Sequence, residues 1–484
     1  MATRSIGAQL RQHLASLEQQ ITLLQSQIVA LQADQKAAQE QLAAIVYPVL
    51  TLPNDITSEI FLQYSDDYPT DSCSPLLLAR VCSSWRQVAL STHGIWAHFG
   101  CGPRYCSAPE SGIRFFVPIS GRLAIWLPRA GTLPLHIRIK LPDAEHPECA
   151  RILKILGAYA AQWGTLDIMS DGPIVFPLQI KGPLPCLRRI NLMLHPSSDG
   201  VTTIPTIHDA PHLGQVELSA IDLASHNFVL PWSQLTRLEL DEMALAQCLD
   251  ILAQTQSLEF LHFQLMDVDP DEPITSPPHV LPRVHSLSLG YDDSYSIVSH
   301  LTLPALRQLR QFSPTQSSAA AIEGLISRSS CSPTTLIMWE YDEEDVDGTN
   351  AWLAVMPTIQ KLELRRLFNR IHDDTSFLPA LTSLDINNCE TRIELSPLVR
   401  MLDARRGGGG ATAQLASFAI SFEQERQDYY SEIDMKGLNE KVQGAINKLD
   451  ELRAGGLNLD VRSSFKWFHE FVDSKMIEEI PGRS

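Results

Sequence analysis

Nowhere does this sequence hold an uninterrupted apolar run of about 18 residues, so no membrane-spanning helix is expected. Its first residues, MATRSIGAQLRQHLAS, have no apolar segment of the signal-peptide kind, and no N-x-[ST] glycosylation acceptor occurs anywhere. Secretion is therefore not expected. Nine cysteines, an odd number without a repeating spacing, make a disulfide framework improbable and point to a reduced intracellular compartment, cytoplasmic or nuclear. Positive charge is scarce: 38 Lys and Arg stand against 56 Asp and Glu, a formal net charge of -18, which argues against nucleic acid or an anionic membrane as partner.

Reactive motifs are missing too. There is no GxxxxGK[ST], GxGxxG, GxSxG, HExxH or CxxC, and the nearest metal-like group, His93, His98, Cys101 and Cys106, lacks paired spacing. No cofactor, metal or catalytic residue is expected, and the chain reads as a non-enzyme. What it does have is 484 residues with 44% hydrophobic content, too long for one small core and apolar enough to fold into two or more units.

The first unit is a helix over residues 8–47. Leu10, Leu14, Leu17, Ile21, Leu24, Ile28, Leu31, Ala38, Leu42 and Ile45 alternate steps of four and three, and only Gln35 breaks the series. With Leu14, Ile21, Ile28, Gln35 and Leu42 at a, this is a heptad seam whose Ile at a and Leu at d favour parallel dimers. Pro48 stops it. Two readings bury the stripe: a second helix, in a homodimer or with another partner, or the chain's own body.

Residues 48–99 read as a short helical module. Leu52-Pro53 opens a helix with Ile56, Ile60 and Phe61 on one face; Ser74-Pro75 starts a second that presents Leu77, Val81, Trp85, Val88 and Ala89, and Trp96 closes the module. A module this short buries too little surface to stand comfortably alone. The ordered elements Leu-Pro, Ile60-Phe61, Val81-Cys82-Ser83-Ser84-Trp85-Arg86 and Trp96 resemble the F-box. That resemblance implies that Leu52, Pro53, Ile56, Ile60 and Phe61 contact a Skp-type adaptor in a cullin complex. Val81, Trp85 and Arg86 are then divided between that contact and the module's core.

Residues 120–424 repeat themselves. An L-x-x-L-x-L core recurs in LPCLRRINL, APHLGQVEL, SQLTRLEL, QSLEFLHF, LPRVHSLSL, MPTIQKLEL and LPALTSLDI, with weaker copies WGTLDI, LPALRQLR, PTTLIM and AQLASFAI. First positions, from Trp163, Leu187 and Leu213 to Ile359 and Leu381, recur at uneven steps that stay within the leucine-rich-repeat range of roughly 20 to 29 residues. This spacing predicts an irregular solenoid with a curved parallel sheet. PLHIRI near Ile137 adds a starting strand, and Arg151 to Gln162 reads as a helix. The outward positions make two rows. One holds Arg189, Gln215, Arg237, Phe260, Gln308 and Lys361; the other holds Asn191, Glu217, Glu239, His262, Arg310, Glu363 and Asp385. Such alternating charge suits either a charged protein segment as target or an ordinary solvated sheet face.

Glu340 to Asp347 and Arg405 to Gly410 read as solvated loops. Residues 425–484 carry the spacing Leu438, Val442, Ile446, Leu449, Leu452, a strand near Leu457 to Val461 and the run Phe465, Trp467, Phe468, Phe471, a cap for the array. The whole is an α/β chain: coiled-coil helix, three-helix F-box-like module, solenoid and cap. It resembles fungal F-box/leucine-rich-repeat-like proteins, which implies a non-catalytic substrate receptor of a Skp-cullin-F-box ubiquitin ligase. The alternative is a coiled-coil and leucine-rich scaffold with no ligase attached.

Overall fold

The computed structural model describes residues 2–44, 52–64, 75–101, 118–141, 146–170, 182–194, 207–221, 229–265, 278–290, 292–312, 315–339, 346–365, 378–389, 402, 403, 405, 413–422 and 451–463. It is a mixed helix and parallel-sheet chain in two compact units, Met1–Asp67 with Ser72–Ile95, and Tyr68–Asp71 with Trp96–Ser484.

The first unit is helical: α1 (Ala2–Ala44), α2 (Asn54–Tyr64), α3 (Pro75–Val81) and α4 (Ser83–Ser91). The expected seam lies on α1, while Tyr47, Pro48 and Ser74 fall outside the described residues. Proline is the first residue of α3, as its missing N–H and fixed φ favour. The sequence reads Leu77 to Ala89 as one helix, but the chain breaks at Cys82. There the backbone is extended, with φ -157° and ψ 174°, and Sγ accepts the Trp85 N–H at 3.4 Å, capping α4.

The second unit is built on strands β1 (His98–Cys101), β2 (Leu135–Lys140), β3 (Trp163–Ser170), β4 (Arg189–Leu194), β5 (Gln215–Ser219), β6 (Arg237–Met243), β7 (Phe260–Leu265), β8 (His279–Val280), β9 (Ser286–Leu289), β10 (Leu301–Thr302), β11 (Gln308–Phe312), β12 (Thr335–Trp339), β13 (Lys361–Arg365), β14 (Ser383–Cys389), β15 (Ser417–Phe422) and β16 (Asn458–Ser463). Fourteen of them form one sheet in chain order, with only β8 and β10 left out as a separate parallel pair.

Several strands are delivered by a proline turn. In Leu184-Pro185-Cys186-Leu187 the Leu187 N–H donates to the Leu184 carbonyl, and the same bond recurs at Leu213, Val284, Leu306, Ile359 and Leu381. In every case proline is the second turn residue, where its fixed φ suits a type I or II turn. After the turn, one carbonyl takes two N–H groups from the next entering strand: Arg188 from Gly214 and Gln215, Gly214 from Thr236 and Arg237, and so on through Thr382. Those acceptors advance along the chain by the same uneven steps as the sequence repeat.

Register then aligns two apolar rows on one face. The first runs Phe99, Ile137, Leu166, Ile190, Val216, Leu238, Leu261, Leu287, Leu309, Leu336, Leu362, Leu384, Phe418, Leu459, all of them buried. The second, two residues on, includes Ile139, Ile168, Leu192, Leu218, Leu240, Phe263, Leu289, Met338, Leu364, Ile386 and Ile420, and is interrupted by buried Gln311. That side chain is accommodated because its Nε2 donates to the carbonyls of Gly290 and Phe312. Gly290 is required for close approach: a Cβ there would lie 2.8 Å from the Gln264 Cβ.

Helices fill in between the strands: α5 (Ile119–Trp126), α6 (Pro147–Ala158), α7 (Leu245–Leu252), α8 (Gln316–Ser329) and α9 (Val346–Ala354). A capping box at Thr315 starts α8, its Oγ1 accepting the Ser318 N–H at 3.2 Å. Ser318 Oγ in turn accepts from the fully buried Trp352 indole at 2.7 Å, tying α9 to α8. The expected helix over Arg151 to Gln162 is α6 followed by a 3-10 turn.

Three features were not anticipated. Strand β1 and helix α5 precede the first repeat, and Trp96, expected to close the helical module, packs edge-on against Trp126 with ring centroids 5.0 Å apart. Strand β16, expected within a cap, is paired parallel to β15 as the fourteenth strand. Glu340 to Asp345, Gly407 to Gly410, Leu438 to Leu449 and Phe465 to Phe471 lie outside the described residues. Arg405, expected at the start of a solvated loop, is 3% exposed, and its Nη1 donates to the Leu378 carbonyl at 3.0 Å.

The inner row sets stability. Leu238→Ala should lower the unfolding free energy by about 2 to 5 kcal/mol in a urea titration, because a fully buried leucine leaves a cavity. Exposed Gln215→Ala, one strand away on the opposite face, should change it by less than about 0.5 kcal/mol.

Candidate functional site

Two surfaces collect the expected site residues, one in each unit. On the helical unit, Phe61 is fully buried and meets the Trp85 ring at 5.0 Å in an edge-on contact. Around that pair the unit leaves an apolar face open. Leu52 is 37% exposed, Ile56 51%, Ile60 46% and Val81 60%. Single exposed leucines are ordinary on a protein surface, but a cluster of large apolar side chains is not. A cavity of about 240 Å³ lies in this face, lined by Ile60, Phe61, Tyr64, Leu77, Leu78, Val81 and Trp85.

Arg86 is exposed and its Nε donates to the Ala79 carbonyl at 2.8 Å, so it secures the end of α3 across the Cys82 break. Pro53 is exposed and accepts the Thr57 N–H at 3.0 Å in the first turn of α2. Phe61 is thus a core residue that also lines the cavity. Leu52, Pro53, Ile56, Ile60 and Val81 are exposed, and of these Ile60 and Val81 line the cavity. Trp85, half-buried, belongs to both, and its Nε1 is buried without a hydrogen-bond partner.

On the sheet, strand register places the two outward rows of the sequence reading side by side. Arg189, Gln215 and Arg237 are successive cross-strand neighbours, followed by Phe260; Asn191, Glu217, Glu239 and His262 are their counterparts two residues along. Gln308 and Lys361 continue the first row beyond Ser286 and Thr335, while Arg310, Glu363 and Asp385 continue the second, past Ser288 and Ile337. The charges pair off. Arg189 Nη2 lies 2.9 Å from Glu217 Oε2, and Arg237 Nε lies 2.6 Å from Glu239 Oε1 while its guanidinium stacks 3.6 Å from the Phe260 ring centre. Asn387 Nδ2 donates to Glu363 Oε1 at 3.3 Å.

Four members escaped the sequence reading. Arg138 and Asp167 extend the second row, with Arg138 Nε 2.9 Å from Asp167 Oδ2. Both stand at the row's position in the copies PLHIRI and WGTLDI, so aligning those copies reveals them. Ser288 stands at the same position of the copy LPRVHSLSL, whereas Asp241 needed the fold. His262 Nε2 stands 3.0 Å from Asp241 Oδ1, off the hydrogen-bond line, and its Nδ1 stands 2.8 Å from Ser288 Oγ. Immediately after Asp241 the strand bulges at Glu242, whose φ of 53° is left-handed.

Aspartate, histidine and serine in this order resemble a nucleophilic triad, but the surroundings differ. Ser288 is 2% exposed, and β9 is an interior strand whose neighbours β7 and β11 engage its ladder groups, which leaves the hydroxyl little access to a substrate. Asn191, 9% exposed between Asp167 and Glu217, holds a buried Oδ1 with no hydrogen-bond partner.

Among the described residues no group of three or more His, Cys, Asp or Glu is placed to hold a metal, and no helix is long and apolar enough to cross a membrane. Cys82, Cys101, Cys149, Cys186, Cys248 and Cys331 are free thiols. Burial pushes the Cys248 thiol up to about 12, which makes it unreactive. No protein-family model matches the chain, and no curated protein matches it either.

Burial, together with the nearby Glu239 and Asp241 carboxylates, raises the Glu217 carboxyl above its ordinary value of 4.5, against the pull of Arg189. A carboxyl raised by folding destabilises the folded state once ionised, so that cost is present at neutral pH and disappears as pH falls through the folded value. Glu217→Gln should therefore raise the melting temperature at pH 7, with the gain shrinking as the pH approaches 4.5 in parallel thermal melts.

Proposed function

We propose that this chain is the non-catalytic substrate-recognition subunit of a Skp-cullin-F-box type ubiquitin ligase. In this reading α2, α3 and α4 are an F-box-like module, and the parallel sheet belongs to an irregular leucine-rich-repeat solenoid. The open apolar face binds the Skp-type adaptor, the outward sheet face binds a target protein, and the other ligase subunits transfer ubiquitin to a target held close by. Such a subunit works inside the cell, in cytoplasm or nucleus.

The observation that carries the reading is the open face of the helical unit. Leu52, Ile56, Ile60 and Val81 stay exposed, and Ile60 and Val81 line a cavity of about 240 Å³ along with a Phe61 and Trp85 pair that holds the helices together. An exposed apolar surface with an aromatic at its base, once desolvated by a partner, is what a hot spot requires. Parallel strands that follow one another at the uneven step of the sequence copies support the repeat reading of the sheet. Its paired charges support a polar protein target over a small apolar ligand.

Co-purification with a Skp-type adaptor tests this. The intact chain should retain the adaptor, Ile56→Ala and Ile60→Ala should each weaken binding about 5- to 30-fold, as loss of about 1 to 2 kcal/mol predicts, and Arg237→Ala should leave it unchanged. An intact chain that fails to retain the adaptor would instead be a scaffold with no ligase attached.

A further inference from the structure

We infer that α1 pairs with α1 of a second copy of this chain, parallel and in register. Every described side chain from Gln12 to Gln41 is exposed. Along one stripe Leu14 is 58% exposed, Leu17 40%, Ile21 53%, Leu24 55%, Ile28 53% and Leu31 67%. A continuous apolar stripe of this length is at the upper end of what soluble monomers leave in water.

Area comes first in deciding what covers it. The 43 residues of α1 extend over about 65 Å, and a contact strip about 10 Å wide gives roughly 650 Å² on each copy. Two copies together reach on the order of 1,300 Å², within the range of stable specific interfaces.

Side-chain identity then selects the second copy and its direction. Ile21 and Ile28 at a, with Leu17, Leu24 and Leu31 at d, are the combination that two-stranded parallel coils prefer. Gln35 occupies the next a position. In register it faces the Gln35 of the other copy, and the two amides can bond to each other inside the seam. Turned end for end, or slipped by a heptad, each Gln35 would meet only apolar side chains and lose its partner, at the cost of a buried unpaired amide. The flanking positions agree. In register, Gln20 meets Gln25 and Gln27 meets Gln32 across the seam, His13 meets Glu18, and Asp34 meets Gln39, with no like-charge contact.

This pairing does not depend on the adaptor reading. If both hold, one particle carries two adaptor faces and two target faces, and a target with two binding segments gains by effective concentration.

Sedimentation and light scattering on the full chain at micromolar concentration measure the first part: the mass should be that of two chains. The double variant Leu17→Lys and Leu24→Lys should give the mass of one, with the far-ultraviolet and thermal signatures of the sheet unit unchanged. Direction is read separately. Ala38, at a d position, places two copies of itself within disulfide reach only in the parallel, in-register dimer. Ala38→Cys should therefore form a covalent two-chain species on mild oxidation, and Ala38→Ser should not. A one-chain mass for the unaltered protein, a two-chain mass that survives the lysine variant, or an uncrosslinked Ala38→Cys would each overturn the inference.

Discussion

Everything in the larger unit depends on the register of the parallel ladder. Each strand offers only two inward apolar side chains, such as Leu238 and Leu240, and a lone strand cannot remove them from water. Pairing in chain order aligns these side chains into two rows, the second broken at Gln311, so each strand buries its neighbour's flanks as well as its own. A slip of one residue would turn both rows to the outside. The proline turns and the two-fold use of each preceding carbonyl hold the register before the side chains pack.

That same register arranges the outward face. Because the side-chain period is two, aligning Leu238 with Leu261 also aligns Arg237 with Phe260 and Glu239 with His262. The ion pairs and the Arg237 stack are therefore consequences of core packing and not separate inventions. Half-buried pairs such as Arg189 with Glu217 contribute little net stability, since desolvation offsets much of their attraction. Their value lies in fixing directions on a surface open to a partner. The helical unit is organised on the opposite principle. It buries Phe61 and leaves Ile56, Ile60 and Val81 uncovered.

Much of this was legible from residue order. The L-x-x-L-x-L copies place strands β3 to β7, β9 and β11 to β15, and the two outward rows follow from alternation alone. Strand β1 was not legible, because His98-Phe99-Gly100-Cys101 has neither the leading turn nor the spacing of a copy; only pairing with β2 makes it a strand. The break at Cys82 was hidden because Leu77, Val81 and Trp85 keep helical spacing across it, while the cap that breaks the helix is a thiol, an uncommon capping group. Asp241 was missed because it lies past the repeat's last apolar position, at the edge of a bulge that periodicity does not reveal.

By itself, then, the sequence determined which residues are inward, which are outward and where the chain must turn, since those follow from apolar period, proline positions and the need to bury. It also determined the seam on α1, an arithmetic of fours and threes. Only the tertiary structure decided which outward residues meet. His262 acquires Asp241 and Ser288 from strands on either side, and Trp96 acquires Trp126 from α5, beyond the first strand. Contacts of that kind depend on distances between elements far apart in the chain, and no local pattern of residues encodes them.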